Sequence, residues 1–256
     1  MKRPVTILIV DDQAFVRKMM GTALTSLGGY AALEAADGMA AINLIRDQAQ
    51  GGGAAHGRDL LETAARGTNR IDCIVSDINM LPMNGLEFVK AIRSGLAPIA
   101  RDIPIIMLTG HTEKHFLAAA IALDVNGFLV KPVSAVTFRS RIERAMASPG
   151  ALKPEGEYAT LIVPEFDAKD LWSSAAAMGR AAAPIRAGDL AGGRQLPKRM
   201  DILDLKVGSR LAEDLRTDEG VLVAPAGSKV SPSLVVAIKD LSEIVTLRSR
   251  VAVFEG

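Results

Sequence analysis

Cysteine is almost missing from this chain. Cys73 is the only one in 256 residues, so no intrachain disulfide can form and a reducing cytoplasm is the expected compartment. Aromatic residues make up only 4 %, with a single tryptophan, Trp172, which argues against a base-stacking platform for single strands. Neither sign of charge prevails. The 30 basic and 29 acidic residues leave a formal net charge of +1, which argues against a general surface for nucleic acid or anionic membranes. No apolar run is long enough to span a bilayer. The run from Val5 to Val10 is too short for a signal-peptide core and is closed by Asp11 and Asp12, so it reads as a strand, not a targeting segment. There is no G-x-x-x-x-G-K-S/T phosphate loop, no G-x-S-x-G elbow and no histidine–aspartate pair. ATPase, esterase and HD-type phosphodiesterase outputs are therefore not expected.

What is present is apolar content of 49 %, ample for a core, arranged in a regular alternation. Strands are predicted over 5–10, 31–36, 71–76, 103–108 and 128–130, and helices over 15–27, 39–46, 86–93, 114–123 and 134–146. This is a βαβ series and implies a five-stranded parallel sheet with helices on both faces. In the first helix, Phe15, Met19, Met20, Ala23 and Leu27 are expected on the buried face, with Gly28 and Gly29 as its stop. Met19, Met20 and Met146 are expected as core filler. Ser134 is a candidate N-cap for the last helix. Residues 50–69, opening on Gly51-Gly52-Gly53, read as an insertion. The expected organisation is an α/β domain over 1–148, an Ala/Gly/Pro-rich basic linker over 149–200 with a short helix near Asp170 to Met178, and a small β-rich module over 201–256. Within that module 218–220 reads as a hairpin turn, and Ser231-Pro232 opens a helix.

Four strand ends carry the chemistry. Asp11 and Asp12 follow the first apolar run, Asp77 the third, Thr109 the fourth and Lys131 the fifth. In an open parallel sheet the carboxyl ends of the strands form the ligand crevice. Three carboxylates, a hydroxyl and an ammonium are therefore expected to meet there. A carboxylate that accepts a phosphoryl group needs a divalent cation to screen charge and fixed donors for the remaining oxygens. Mg²⁺ takes hard oxygen ligands. Asp12 and Asp77 are the expected direct ligands, and Asp11 either orients a metal-bound water or binds directly. The backbone carbonyl of Asn79 is a further candidate. Lys131 would supply fixed positive charge, and Thr109 with the Gly110 backbone would donate to the phosphoryl oxygens. His56, His111 and His115 lack metal-ligand spacing.

The segments Val10-Asp11-Asp12, Asp77-Ile78-Asn79-Met80-Leu81-Pro82-Met83-Asn84-Gly85, Leu108-Thr109-Gly110 and Val130-Lys131-Pro132 occur in the order found in the receiver domain of two-component response regulators. Residues 4–146 resemble that family, particularly its single-domain chemotaxis type. The resemblance implies a flavodoxin-like receiver fold, phosphorylation at Asp77 by a histidine kinase or histidine phosphotransfer protein, and Mg²⁺. It also implies that Thr109 moves towards the phosphoryl group and that Phe128, at the switch position, turns inward. Asn79 and His111, each two residues past a site residue, stand where the family tunes hydrolysis. The chain departs from the pattern with Leu81 where proline is usual, with Phe128 lacking a hydroxyl, and with the 50–69 insertion.

The last 55 or so residues, through Leu205 to Asp214 and Gly220 to Gly227, loosely resemble a β-rich module found beside HD-type phosphodiesterases; the boundary is soft. The expected output is protein–protein interaction with a downstream partner or a second copy of the chain. The alternative is a DNA-binding regulator using the basic linker and the β module.

Overall fold

The computed structural model describes residues 3–49, 70–110, 116–147, 152–163, 196–218, 220–242 and 246–254. The 50–69 insertion, His56, His111, His115, Trp172 and the helix expected near Asp170 to Met178 lie outside the described residues.

The chain runs β1 (Val5–Val10), α1 (Ala14–Ser26), β2 (Tyr30–Ala35), α2 (Gly38–Ala49), β3 (Cys73–Asp77), α3 (Gly85–Arg93), β4 (Ile105–Thr109), α4 (Leu117–Ala122), β5 (Gly127–Val130) and α5 (Ala135–Ala147). The five strands form one parallel sheet in the order β2-β1-β3-β4-β5, the expected flavodoxin-like receiver fold. β3 and β4 are buried along their whole length, which explains why they read as continuous apolar runs. From β1 the chain moves outward to β2 and then crosses back to β3, so the winding direction reverses between β1 and β3. A crevice opens at that reversal, at the carboxyl ends of the strands.

Register makes those ends level. Val10 lies opposite Ser76, Asp77 opposite Leu108, and Thr109 opposite Val130. The helix after β3 is fixed by a capping box. Asn84 Oδ1 accepts from Glu87 N and the Glu87 carboxylate accepts from Asn84 N, at 2.9 Å each. Ser134 Oγ accepts from Thr137 N at 3.1 Å, as a cap for α5 should.

The buried face of α1 differs from the expected one. Met20 and Leu24 are its buried residues, with Val16 packed beside them. Phe15 is 79 % exposed and Met19 40 %. The inward stripe runs in steps of four, through 16, 20 and 24, and the expectation was rotated by about one residue. Of the three methionines expected as core, only Met20 is; Met146 is 37 % exposed.

Arg93, at the end of α3, is among the largest fully buried side chains. Its guanidinium donates to the carbonyls of Leu123, Ile103, Asp124 and Arg101 and to Asn126 Oδ1. Burial pulls its pKa down to about 10, against partial compensation from Tyr158 and Asp124. The residue thus ties α3 to the β4 and β5 entrances.

Residues 152–163, inside the stretch whose composition suggests a linker, pack on the receiver. They contain α6 (Glu155–Ala159). Tyr158 is buried, and its hydroxyl donates to Asp124 Oδ2 at 2.7 Å. Lys90 Nζ donates to the Leu161 carbonyl at 2.8 Å. Beyond it come β6 (Lys198–Asp201), a 3₁₀ turn (Ile202–Asp204), β7 (Arg210–Leu211), β8 (Leu215–Arg216), β9 (Leu222–Ala224), α7 (Pro232–Ser242) and β10 (Arg250–Phe254). They form an antiparallel sheet β6-β10-β7 and the hairpin β8-β9. The tail is β-rich as read. The run expected as one strand over Leu211 to Arg216 is two, broken at residues 212–214, where the Asp214 carboxylate accepts from Ala226 N and Arg216. The expected strand over Asp201 to Lys206 ends at its first residue, because the Asp201 carboxylate accepts from Leu203 N and turns the chain into the 3₁₀ segment. Ser231 caps α7 as anticipated, accepting from Leu234 N at 3.1 Å.

Two apolar clusters flank the main sheet. One, between the sheet and α1 and α5, holds Ile7, Met20, Leu24, Leu129 and Ile142. The other begins at Leu8, Ile74 and Met107, passes Phe116, Leu123 and Phe128, and continues into Leu234, Ile238 and Leu241 of α7. The C-terminal elements thus share the receiver's core, and α7 packs against β5 and covers the edge of the sheet.

Candidate functional site

Asp11 is wholly buried and locked by its surroundings. Its N–H donates to the Ala35 carbonyl at 3.2 Å, Oδ1 accepts from Gln13 N at 2.8 Å, and its carbonyl accepts from Arg17 Nη1 at 2.6 Å. Asp12 is exposed at the mouth. Asp77, at the last position of β3, is 3 % exposed. One carboxylate oxygen from each of the three lies within 4.8 Å of the other two. Lys131 Nζ sits 2.8 Å from Asp11 Oδ2 and 2.9 Å from Asp77 Oδ1. Burial works against the ammonium, but the bonds to Asp11 and Asp77 outweigh it and hold the pKa above the ordinary lysine value.

The charge count decides what the site can take. Three carboxylates against one ammonium leave two negative charges in a small volume. Like charges about 4 Å apart repel by about 4 kcal/mol at an effective dielectric near 20. The site therefore favours a divalent cation. Its donors are hard carboxylate oxygens, the set that suits Mg²⁺, and the exposed Asp12 leaves an approach from solvent.

Thr109 ends β4 and is 1 % exposed, its hydroxyl donating to the Gly110 carbonyl at 3.0 Å. The backbone N–H of Lys131 donates to the Thr109 carbonyl at 3.0 Å, so the ends of β4 and β5 are bonded together. Phe128 is fully buried in β5. Asn79 is exposed in the turn after Asp77. The loop that follows contains a cis Leu81–Pro82 bond, and Lys131–Pro132 is also cis. Asp11, Asp12, Asp77 and Lys131 are thus brought together, with Thr109 on the adjoining strand end and Asn79 and Phe128 beside it. His111 lies outside the described residues.

Three supporting residues carried no role in the sequence reading. Gly85 starts α3 against the acceptor strand: an added Cβ would stand 1.9 Å from the Asp77 carbonyl oxygen. Arg17 holds the Asp11 carbonyl and lies 3.6 Å from Glu34. Gln13 supplies an N–H to Asp11. The signal for Gly85 was its place after Asn84, where a tight turn enters a helix; nothing local marks Arg17.

A rigid strand-end carboxylate, two further acids and a fixed ammonium at the switch point of a β2-β1-β3-β4-β5 sheet define the class of receiver modules. The family comparison agrees: the response regulator receiver domain matches residues 7–143, just over half of the chain, and the chain belongs to that family. It is 27 % identical over 138 residues to chemotaxis protein CheY-3 of Vibrio cholerae, covering 54 % of this chain and 88 % of that protein. It is 28 % identical over 142 residues to a chemotaxis protein CheY homologue of Campylobacter jejuni, covering 56 % and 92 %. Among solved structures, Vibrio cholerae chemotaxis protein CheY4 is similar at 30 % identity and a TM-score of 0.41, over 56 % of this chain and 98 % of that one. Receiver domains are signalling modules that interact with histidine kinases or histidine phosphotransfer proteins. No helix among the described residues is long and apolar enough to cross a membrane.

Proposed function

We propose that this protein is a response regulator whose Asp77 accepts a phosphoryl group from a phosphohistidine of a kinase or phosphotransfer protein. The observation that carries the reading is the bridging of Asp11 and Asp77 by Lys131 at 2.8 and 2.9 Å, inside a three-carboxylate cluster. An Asp77 carboxylate oxygen forms the new P–O bond while the donor's P–N bond breaks, and the departing imidazole takes up a proton. Asp11, Asp12, Asp77 and the Asn79 carbonyl would hold Mg²⁺, which when bound neutralises charge on the phosphoryl oxygens. The chain's own residues do the rest. Lys131 keeps its ammonium at the acceptor, and Thr109 offers its hydroxyl once it turns from Gly110. The cap at Asn84 and the contact at Gly85 fix the acceptor strand. Water attack on phosphorus returns phosphate and the carboxylate, with Asn79 and His111 setting the pace.

On this reading residues 1–148 are the receiver, 149–200 join it to residues 201–256, and the output is protein–protein interaction. Incubation with a small-molecule phosphodonor and Mg²⁺ should label the chain, and Asp77→Asn should remove the label. Undiminished labelling of that variant would rule out Asp77 as the acceptor.

A further inference from the structure

The corner between β1 and α1 carries two of the three clustered acids, Asp11 and Asp12. Beyond β1 the N–H of Asp11 still donates to the Ala35 carbonyl at 3.2 Å, and the first bond of α1 runs from Arg17 N to the Gln13 carbonyl at 3.2 Å. The main chain between them belongs to neither element. One side chain closes that gap: Arg17 Nη1 donates to the Asp11 carbonyl at 2.6 Å, six residues back along the chain. This carbonyl is part of the planar peptide that joins Asp11 to Asp12. Holding its oxygen fixes the plane that links the two acids. Glu34 faces the same corner. It lies opposite Ile9 in the β1–β2 register, and Ile9 packs in the apolar cluster under α1, so Glu34 stands on the α1 side of the sheet. Its Oε2 is 3.6 Å from Arg17 Nε and its Oε1 3.0 Å from Lys18 Nζ. Pairs as exposed as these add little stability by themselves, but Glu34 offsets the arginine's charge beside the acidic cluster.

We infer that Arg17 is a positioning residue for the cation site: by holding the Asp11–Asp12 peptide it keeps the Asp12 carboxylate aimed at the oxygens of Asp11 and Asp77. The inference rests on the cation site of the function proposed above. The need for such a brace is greatest at Asp12. Asp11 and Asp77 are buried and share Lys131, so their carboxylates have fixed places. Asp12 stands exposed at the mouth, and rotation of the peptide behind it swings its side chain out of the cluster. Arg17 does this without entering the cluster, because its bond goes to the Asp11 carbonyl and not to the carboxylate. Groups one layer behind the ligands commonly govern metal affinity by about 10–100-fold, since ligands that are already aimed need no ordering when the ion arrives. Positioning and plain charge make opposite predictions here. Removing a positive charge beside three carboxylates should by charge alone tighten cation binding, and removing the negative charge of Glu34 should weaken it. Loss of the brace reverses that order.

Calorimetric titration of Mg²⁺ into the full-length protein, at a temperature where circular dichroism shows each variant folded, reads the site directly. Arg17→Met keeps the stem and removes the donors, and should weaken Mg²⁺ binding by about tenfold or more. Arg17→Lys restores a donor without the guanidinium fork and should recover part of the loss. Glu34→Gln leaves the bond to Asp11 in place and should weaken binding far less than Arg17→Met. The Mg²⁺ concentration for half-maximal labelling by phosphodonor should rise in parallel with the measured affinity loss. If Arg17→Met does not fold, Arg17→Gln, too short to reach the carbonyl, takes its place with the same expectation. Unchanged or tighter Mg²⁺ binding in the folded variant would overturn the inference. So would equal weakening in Arg17→Met and Glu34→Gln, which would make Arg17 only a tether between α1 and β2. Absence of Mg²⁺ binding by the wild type would overturn the cation site and the inference together. Normal Mg²⁺ binding without label at Asp77 would instead strike the function proposed above, with Arg17 still judged by its variants.

Discussion

Gly85 presses against the main-chain carbonyl of Asp77: a Cβ at position 85 would stand 1.9 Å from that oxygen and 3.0 Å from its carbon. The obstacle is backbone, so no side-chain rotation relieves it. Gly85→Ala must push β3 and α3 apart at the acceptor. The expected cost is about 3 kcal/mol or more in chemical denaturation, with slower phosphoryl transfer in whatever remains folded. Wild-type stability would show that this contact is looser than described.

Lys131 offsets part of the repulsion between two buried acids. Lys131→Met keeps the stem and removes the charge, so Asp11 and Asp77 face each other uncompensated. The expected loss is about 1–3 kcal/mol at pH 7 without divalent ions, recovered in part by Mg²⁺. The pH dependence has a fixed sign. Because the folded pKa of Lys131 lies above its ordinary 10.5, its contribution is fully present below pH 10.5 and fades as pH rises through the folded value. Denaturation of both proteins between pH 7 and 11 checks this.

Divalent cation binding to the acidic cluster should appear as stability. A ligand that binds only the folded state adds about 2.7 kcal/mol at a concentration 100 times its Kd. Melting temperature should rise with Mg²⁺ in the wild type and much less in Asp12→Ala, since Asp12 contributes one of the three clustered oxygens. Equal shifts in both would place the cation elsewhere.

Cys73 reports on global opening. It is fully buried in β3, and burial pushes its thiol up to about 12 from 9.0, with a backbone hydrogen bond at Ile74 opposing. The unfolded thiol ionises more readily than the folded one. Stability linked to this residue is therefore fully present below pH 9 and lost as pH climbs towards 12. The stability gap between wild type and Cys73→Ala should narrow over that window. At pH 8 the native protein should resist alkylation except through unfolding.

The parts of the fold that sequence disclosed are those with one dominant pattern. Ile7 to Val10 and Ile105 to Leu108 are buried on both faces, so their composition alone marked them as inner strands, and Asp11 and Asp12 at the end of the first and Thr109 at the end of the second followed. The face of α1 was less legible, since Phe15 and Met19 are apolar yet exposed, and hydrophobicity without packing does not fix helical phase. The span over 152–163 was obscured by small and charged residues. Its packing depends on Tyr158 and Lys153 meeting Asp124, a pairing that no local spacing reveals. Asp240 was hidden for the same reason. An acid between Ile238 and Leu241 on the buried stripe of α7 is odd in the sequence, but its partners Arg141 and Phe128 are a hundred residues away.

Chemical trapping shows whether Asp77 is the phosphoryl acceptor. The protein would be treated with phosphodonor and Mg²⁺, reduced with borohydride and mapped by mass spectrometry. An acyl phosphate is reduced to an alcohol, so a single carboxylate, that of Asp77, should be converted, and none in Asp77→Asn. Trapping at Asp11, Asp12 or another carboxylate, with Asp77 untouched, would contradict it.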